Sequence, residues 1–118
     1  MKHMQKDKFE FGLTIPQGWR GGDLPGGWRG EENNPVKQYA FSKLISVAAD
    51  SIGFDSIYAY DHLIPFYSDD RNKNIFECFI LLSGLAAITK RIRIGQIVTC
   101  NSYRNPSLVV YKILSLSV

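Results

Sequence analysis

Short apolar segments alternate with helical patterns along this chain, and the alternation restricts the possible folds more than any other feature. The apolar segments, rich in β-branched and aromatic residues, span residues 9–15, 54–60 and 92–98. The helical patterns span residues 34–52, 75–89 and 107–118. Short strand–helix–strand connections favour parallel strands in one sheet with right-handed crossovers. The sequence therefore predicts an α/β fold made of three β-α units.

Capping residues mark the start of the first and third helices and the end of the first. Asn34-Pro35 and Asn105-Pro106 each place an Asn at a helix start, where it caps the first amides, followed by a Pro that needs no hydrogen bond there. Gly53 is placed to end the first helix in a left-handed conformation. Apolar residues three and four positions apart predict that the first helix buries one face, made of Val36, Tyr39, Ala40, Leu44, Val47 and Ala48.

The second helix is apolar nearly all round, which predicts a core helix or a dimer surface. Asn74, with Glu77 three residues later, resembles a capping box, so we expect Asn74 to begin this helix. Residues 65–73 before it read as a polar loop.

Composition narrows the class of protein. The 118 residues suffice for one domain, and the net charge of +3 comes from scattered basic residues, which does not favour nucleic-acid binding. The start is too polar for a secretion signal, and no apolar run reaches membrane-spanning length. Cys78 and Cys100 lack metal-ligand spacing. We expect a cytoplasmic protein with reduced thiols, no metal site and no membrane segment.

A long loop follows the first predicted strand. Residues 17–33 hold six of the ten glycines, together with Trp19 and Trp28. The tryptophans either stack on a planar ligand or pack as part of a mobile flap. The glycines match no phosphate-binding motif.

Polar residues follow the second and third predicted strands, and the carboxyl ends of parallel strands are the usual ligand-binding edge of an α/β protein. Asp61-His62 come after the second strand. His62 is either a donor or proton-transfer group at a hydride-transfer site, or a loop histidine bonded to Asp61 or to water. Asp61 either orients His62 or caps the turn.

Thr99, Cys100 and Asn101 follow the third strand. Their hydroxyl, thiol and amide groups either contact a ligand or belong to a turn that satisfies its own backbone. No histidine follows Cys100 in the chain, which argues against a nucleophilic thiol. Tyr103-Arg104 lie before a helix start, where Arg104 either binds an anion or forms an ion pair.

Three segments, FGLTIPQGW, IGFDSIYAYDH and AAITKRIRIGQIVTCNSYRNP, resemble the amino-terminal part of the bacterial luciferase-like superfamily. Within it they are most similar to the branch that uses the deazaflavin coenzyme F420. The resemblance covers roughly residues 9–112 and implies part of a (β/α)8 TIM-type barrel that holds the coenzyme ring at the carboxyl ends of its strands. It also implies a hydride transfer between coenzyme F420 and an organic substrate, the alternative being an FMN-dependent monooxygenase.

The resemblance also implies roles for the strand-end residues. Asp61 and His62 fall where that branch places catalytic and coenzyme-binding groups beside the ring. A third-strand bulge, which in many relatives contains a cis non-proline peptide and backs the ring, corresponds to Val98, Thr99, Cys100 and Asn101.

The length departs from the family pattern, because such a barrel needs about 250 residues and three of eight units are present. We therefore expect a homo-oligomer or a partner chain that completes the barrel, and little activity from the chain alone. A truncated, non-catalytic remnant is the remaining alternative.

Overall fold

A computed structural model describes residues 9–17, 34–64 and 74–116. Of the loop predicted at 17–33, residues 18–33, with Trp19 and Trp28, lie outside the described residues, as does the loop predicted at 65–73. The described elements, in chain order, are β1 (Gly12–Thr14), α1 (Pro35–Ile52), β2 (Ser56–Ala59), α2 (Cys78–Ala86), β3 (Arg93–Gln96), a 3-10 helix (Asn101–Tyr103) and α3 (Pro106–Leu116). The predicted alternation of strands and helices is confirmed.

The three strands form one parallel sheet in the order β1-β2-β3. Leu13 lies opposite Ile57, which lies opposite Ile94. Backbone hydrogen bonds continue past the strand ends, since the amide of Ile97 donates to Ala59 at 2.9 Å. The strands are shorter than predicted, but the sheet and its direction agree with the sequence.

The core lies between one face of the sheet and two helices, α2 and α1, the latter contributing Ala49. Ile57 and Ala59 of β2 are fully buried against α2, whose buried residues are Cys78, Phe79, Leu81, Leu82 and Leu85. The core expected from the apolar second helix is therefore present. Among the described residues, no helix is both long and apolar enough to cross a membrane.

The buried face of α1 is not the apolar face that the sequence predicted. That prediction holds only at Tyr39, which is half-buried against the core. For the rest of the face it was wrong: Val36 and Leu44 are 75% and 64% exposed, and the buried residues are Gln38, Ser42, Ser46 and Ala49. Small serine side chains can be buried here because their hydroxyls donate to carbonyls nearby. The Ser42 hydroxyl donates to Pro16 at 2.6 Å, and the Ser46 hydroxyl donates to Ser42 at 2.8 Å.

The caps of α1 and α3 follow the sequence prediction. The side chain of Asn34 accepts hydrogen bonds from two amides of the first turn, and that of Asn105 does the same for α3. Gly53 ends α1 with a φ of 101°, in the left-handed region.

The cap of α2 differs from the prediction, because Glu77 and not Asn74 is its N-cap residue. A carboxylate oxygen of Glu77 accepts the Ile80 amide at 2.8 Å, and the helix begins at Cys78.

The Tyr58 ring crosses β1 and β3 where both have a glycine. A Cβ atom at Gly12 would lie 2.6 Å from the ring, and one at Gly95 would lie 2.7 Å from it. These two glycines therefore make room for the ring across three adjacent strands.

Candidate functional site

The ends of β2 and β3 are joined by a hydrogen bond from the Cys100 amide to the carboxylate of Asp61, at 2.9 Å. The two strands are parallel neighbours, so the residues that follow them meet at one edge of the sheet. Asp61 is 4% exposed, and Cys100 is half-buried. The structure thus brings the two polar strand-end motifs together.

Arg104 holds the same carboxylate. Its Nε donates to Oδ2 of Asp61 at 2.8 Å, and its Nη2 donates to Oδ1. The same Nη2 lies 2.6 Å from Oε1 of Glu77, and the guanidinium lies 5.0 Å from the ring centroid of Phe79. Of the two readings of Arg104, the ion pair is the one that the structure contains.

Contacts within this cluster shift the pKa values of Asp61, Arg104 and Tyr103. Burial tends to raise the pKa of Asp61, but the hydrogen bonds from Arg104 and the Cys100 amide outweigh it and lower the pKa. The bond to Asp61 is the main cause that raises the pKa of Arg104. Tyr103 donates its hydroxyl to the backbone carbonyl of Asp61, and burial together with the Asp61 charge raises the pKa of Tyr103. Asp61 is therefore ionised and Tyr103 neutral at pH 7.

His62 is half-buried directly after this carboxylate. Its ring centroid lies 5.8 Å from that of Tyr60, with the rings tilted by 35°. The electrostatic interaction between His62 and Asp61 is the smallest of the causes that lower the pKa of Asp61.

Gln17 fixes the chain just before this point, a role that the sequence reading missed by placing Gln17 in a loop. Gln17 is 1% exposed. Its side chain accepts the amide of Tyr60 at 2.7 Å and donates to the carbonyls of Tyr60 and Phe76, at 2.6 and 2.9 Å. The only sequence signal was an amide side chain two residues after the first predicted strand.

We call residues 97–101 the β3 loop. It contains a cis peptide bond between Ile97 and Val98. Val98 is 73% exposed, whereas the Thr99 hydroxyl donates to the side chain of Gln96. Asn101 is exposed and begins the 3-10 helix. The loop therefore presents an apolar side chain beside hydrogen-bonding groups.

Cys78 lies beneath the loop without being part of its surface. Gln96 donates to its sulfur at 3.4 Å, and burial raises the pKa of its thiol to about 12. In the part of the chain that the structure describes, no group of three or more histidine, cysteine, aspartate or glutamate residues is placed to hold a metal ion.

Two solved structures share this fold at low sequence identity. One is an F420-dependent secondary alcohol dehydrogenase in complex with an F420-acetone adduct, with a TM-score of 0.65, 20% identity and 89% of this chain covered. The other is the oxygenating constituent of 3,6-diketocamphane monooxygenase from Pseudomonas putida, a type II Baeyer-Villiger monooxygenase in complex with FMN. It has a TM-score of 0.65, 20% identity and 93% of this chain covered. The match covers 26% of the length of each of these two proteins, so this chain spans about a quarter of either one.

These likenesses show that the sheet and helices are part of a TIM-type barrel, as predicted. No curated protein matches the chain. The model of one protein family, described as luciferase-like monooxygenase, matches residues 10–117, which is nearly the whole chain. The chain therefore belongs to the luciferase-like monooxygenase family.

Proposed function

We propose that this chain forms part of the coenzyme-binding edge of an oxidoreductase that transfers a hydride between coenzyme F420 and an organic substrate. The single observation that supports this most is the 2.9 Å hydrogen bond from the Cys100 amide to Asp61. It joins the two strand-end motifs that resemble the coenzyme site of the F420-dependent branch. Family membership and the F420-bound neighbour add support.

The residues at this edge suit a flavin-type ring, which is planar and largely apolar with hydrogen-bonding atoms on its rim. Val98 exposes an apolar side chain, and Thr99, Cys100 and Asn101 add hydroxyl, thiol and amide groups. We assign these four residues to the back of the ring. We place His62 beside the ring, because it follows the carboxylate that fixes the β3 loop.

The coenzyme would supply the hydride chemistry, and the protein would supply orientation and proton transfer. When an alcohol is oxidised, a hydride leaves its carbon and a proton leaves its hydroxyl. Imidazole is well suited to hold that proton near neutral pH. We assign this role to His62. Asp61 makes charge-assisted bonds on both carboxylate oxygens, so it serves the site by holding the β3 loop.

A fluorescence titration with coenzyme F420 and FMN tests this proposal, using this chain and any longer form of the protein. We expect F420 to bind more tightly than FMN. We expect His62→Asn to bind F420 but to slow hydride transfer by about 100-fold or more, as for loss of a general base. His3→Asn is the matched control, since His3 and His62 are the two histidines. Failure of every form to bind either coenzyme would sink the proposal.

An FMN-dependent monooxygenase is the second candidate within the family. The FMN-bound neighbour supports it, with the same TM-score and identity as the F420-bound one. Tighter binding of FMN than of F420, with oxygen consumption by the reduced FMN complex, would favour this candidate over hydride transfer to F420.

A third candidate function is that of a subunit with no activity of its own. The exposed apolar surface of α3 supports it. None of the residues of α3 is buried, and those more than half exposed include Leu108, Val110, Tyr111 and Leu114. So much exposed apolar surface is typical of a face that another part of the assembly covers. Light scattering separates the outcomes: a defined oligomer supports an assembling subunit, a polydisperse aggregate supports a remnant, and a stable monomer contradicts the need for a partner.

A cytoplasmic location stays a prediction.

A further inference from the structure

We propose that Asp61 and Arg104 are positioning residues, which hold the β3 loop in the conformation that receives the coenzyme and do not touch coenzyme or substrate themselves. The inference rests on the proposed function, because it concerns the same edge of the sheet. It assigns to Arg104 a role at the site, and it separates the role of Asp61 from that of His62.

The carboxylate of Asp61 is hydrogen-bonded on both oxygens and shielded from solvent. It accepts three hydrogen bonds, one from the Cys100 amide and two from Arg104, and its side chain is 0% exposed. Because the side chain is buried, a bound ring could reach this carboxylate only after the groups that cover it had moved. Asp61 therefore acts on the backbone of the β3 loop.

Arg104 is fixed on three sides. Besides Asp61 it faces the carboxylate of Glu77, the residue that caps α2, and it lies over the ring of Phe79. Its side chain is 10% exposed. The planar guanidinium donates two hydrogen bonds to Asp61 while its Nη2 forms an ion pair with Glu77. A lysine ammonium cannot reproduce this arrangement with the same geometry. Arg104 thus connects the end of β2, the start of α2 and the end of the 3-10 helix.

The segment from Cys100 to Arg104, which links the β3 loop to α3, is bound to Asp61 at three points. Cys100 donates its amide, Tyr103 its hydroxyl and Arg104 its guanidinium. One buried residue of β2's carboxyl end therefore determines where the backbone after β3 lies. Loss of the Asp61 carboxylate would release two of these constraints, the Cys100 amide and the Arg104 guanidinium, whereas loss of Arg104 would release one.

A purely structural role for the pair is the competing explanation, and the opposite end of the sheet offers a matched control. Arg91 pairs with Asp50, with 3.9 Å between Nε and Oδ1, and donates to the carbonyls of Asp50 and Phe54. This pair also joins distant parts of the chain, but it lies at the amino-terminal end of the strands. Its loss should affect stability and leave the β3 loop unchanged.

The test compares Arg104→Lys, Arg104→Gln and Asp61→Asn with the control Arg91→Gln. Amide hydrogen exchange in residues 97–101 is measured without coenzyme, and the affinity for coenzyme F420 is measured by fluorescence. We expect exchange at Cys100 to become about 10- to 100-fold faster in the Arg104 and Asp61 variants, as for loss of a charge-assisted hydrogen bond. We expect F420 to bind about tenfold more weakly, and Arg91→Gln to change neither quantity.

Each outcome decides between the explanations. Unchanged loop exchange and unchanged F420 affinity in Arg104→Lys and Asp61→Asn would overturn the inference. If Arg104→Gln does not fold, Arg104→Lys, which keeps the charge and the stem, still decides. If neither this chain nor any longer form of the protein binds a coenzyme, the proposed function fails, whereas the exchange data still show whether the pair positions the loop.

Discussion

The side-chain amide of Gln17 pairs with the backbone of Tyr60, accepting its N–H at 2.7 Å and donating to its carbonyl at 2.6 Å. One side chain thus supplies the two bonds that a neighbouring parallel strand would make through two of its residues. Gln17 also donates to the carbonyl of Phe76 at 2.9 Å. It therefore fixes the backbone immediately before Asp61 to the segment that leads into α2.

Replacing Gln17 with Leu should destabilise the fold, because three backbone groups in a buried region lose their partner together. At about 1–3 kcal/mol for each unsatisfied group, with partial relaxation, we expect a loss of about 2–4 kcal/mol in the free energy of unfolding. Urea denaturation measures it. Ser51→Ala, an exposed change on α1, is the control and should stay within about 0.5 kcal/mol of the unmodified protein. A Gln17→Leu protein as stable as this control would refute the role.

Stability should fall as the pH falls, because folding lowers the pKa of Asp61. An unfolded aspartate titrates near pH 3.9, so below about pH 5 the unfolded chain binds more protons than the folded one. The stabilisation is present above that range and is lost as the pH drops through the folded pKa. Asp50, whose pKa is lowered mainly by the Lys90 amide, adds to the same trend.

Urea denaturation between pH 3 and pH 7 checks this dependence. Asp61→Asn should be less stable at pH 7 and should lose less stability on acidification than the unmodified protein. A pH dependence unchanged by both Asp61→Asn and Asp50→Asn would contradict the assignment of these carboxylates.

Gly95→Ala should destabilise the sheet, because the added Cβ would lie 2.7 and 2.9 Å from two ring carbons of Tyr58. We expect a loss of about 1–3 kcal/mol, as for other overpacked sites. Gly84→Ala is the control, since its Cβ would meet the hydroxyl end of Tyr39, which can move, and alanine favours a helix. In a Tyr58→Leu background, Gly95→Ala should cost less. An equal cost there would show that the ring is not the cause.

The two cysteines should differ in reactivity with a thiol reagent. Cys78 is buried with its pKa raised to about 12, whereas Cys100 is half-buried on the β3 loop. We expect about one reactive thiol per native chain near pH 8 and two after denaturation. Cys100→Ser should remove the native reaction. Rapid native labelling of Cys78 would contradict the packing of α2 on the sheet.

The order of elements was predictable because it depends on local signals. Asn34, Asn105 and Gly53 occupy the helix ends at which the sequence placed them, and the apolar segments became adjacent parallel strands. These signals act over a few residues, so a single chain displays them directly.

The burial of α1 and the cap of α2 were not predictable in the same way. The hydropathy of α1 favoured the face with Leu44, but the carbonyl of Pro16, 26 residues before Ser42, satisfies a serine hydroxyl and allows a polar face to be buried. Likewise, Glu77 is the cap of α2 and also an ion-pair partner of Arg104. Such choices depend on partners far away in the sequence.

Part of the candidate site was also open to prediction. Asp61, His62 and residues 98–101 could be assigned to one edge because parallel strands end together. The sequence did not indicate that Gln17 and Arg104 would fix that edge, because their contacts span 43 residues each.

Hydrogen exchange with and without saturating coenzyme F420 tests the central claim most directly. We predict that the coenzyme slows exchange at residues 61–64 and 97–101, at the carboxyl ends of β2 and β3. Residues 50–55 and 90–92, at the opposite end of the sheet, should exchange as before. Binding that protects neither 61–64 nor 97–101 would show that the strand-end residues are not the coenzyme site.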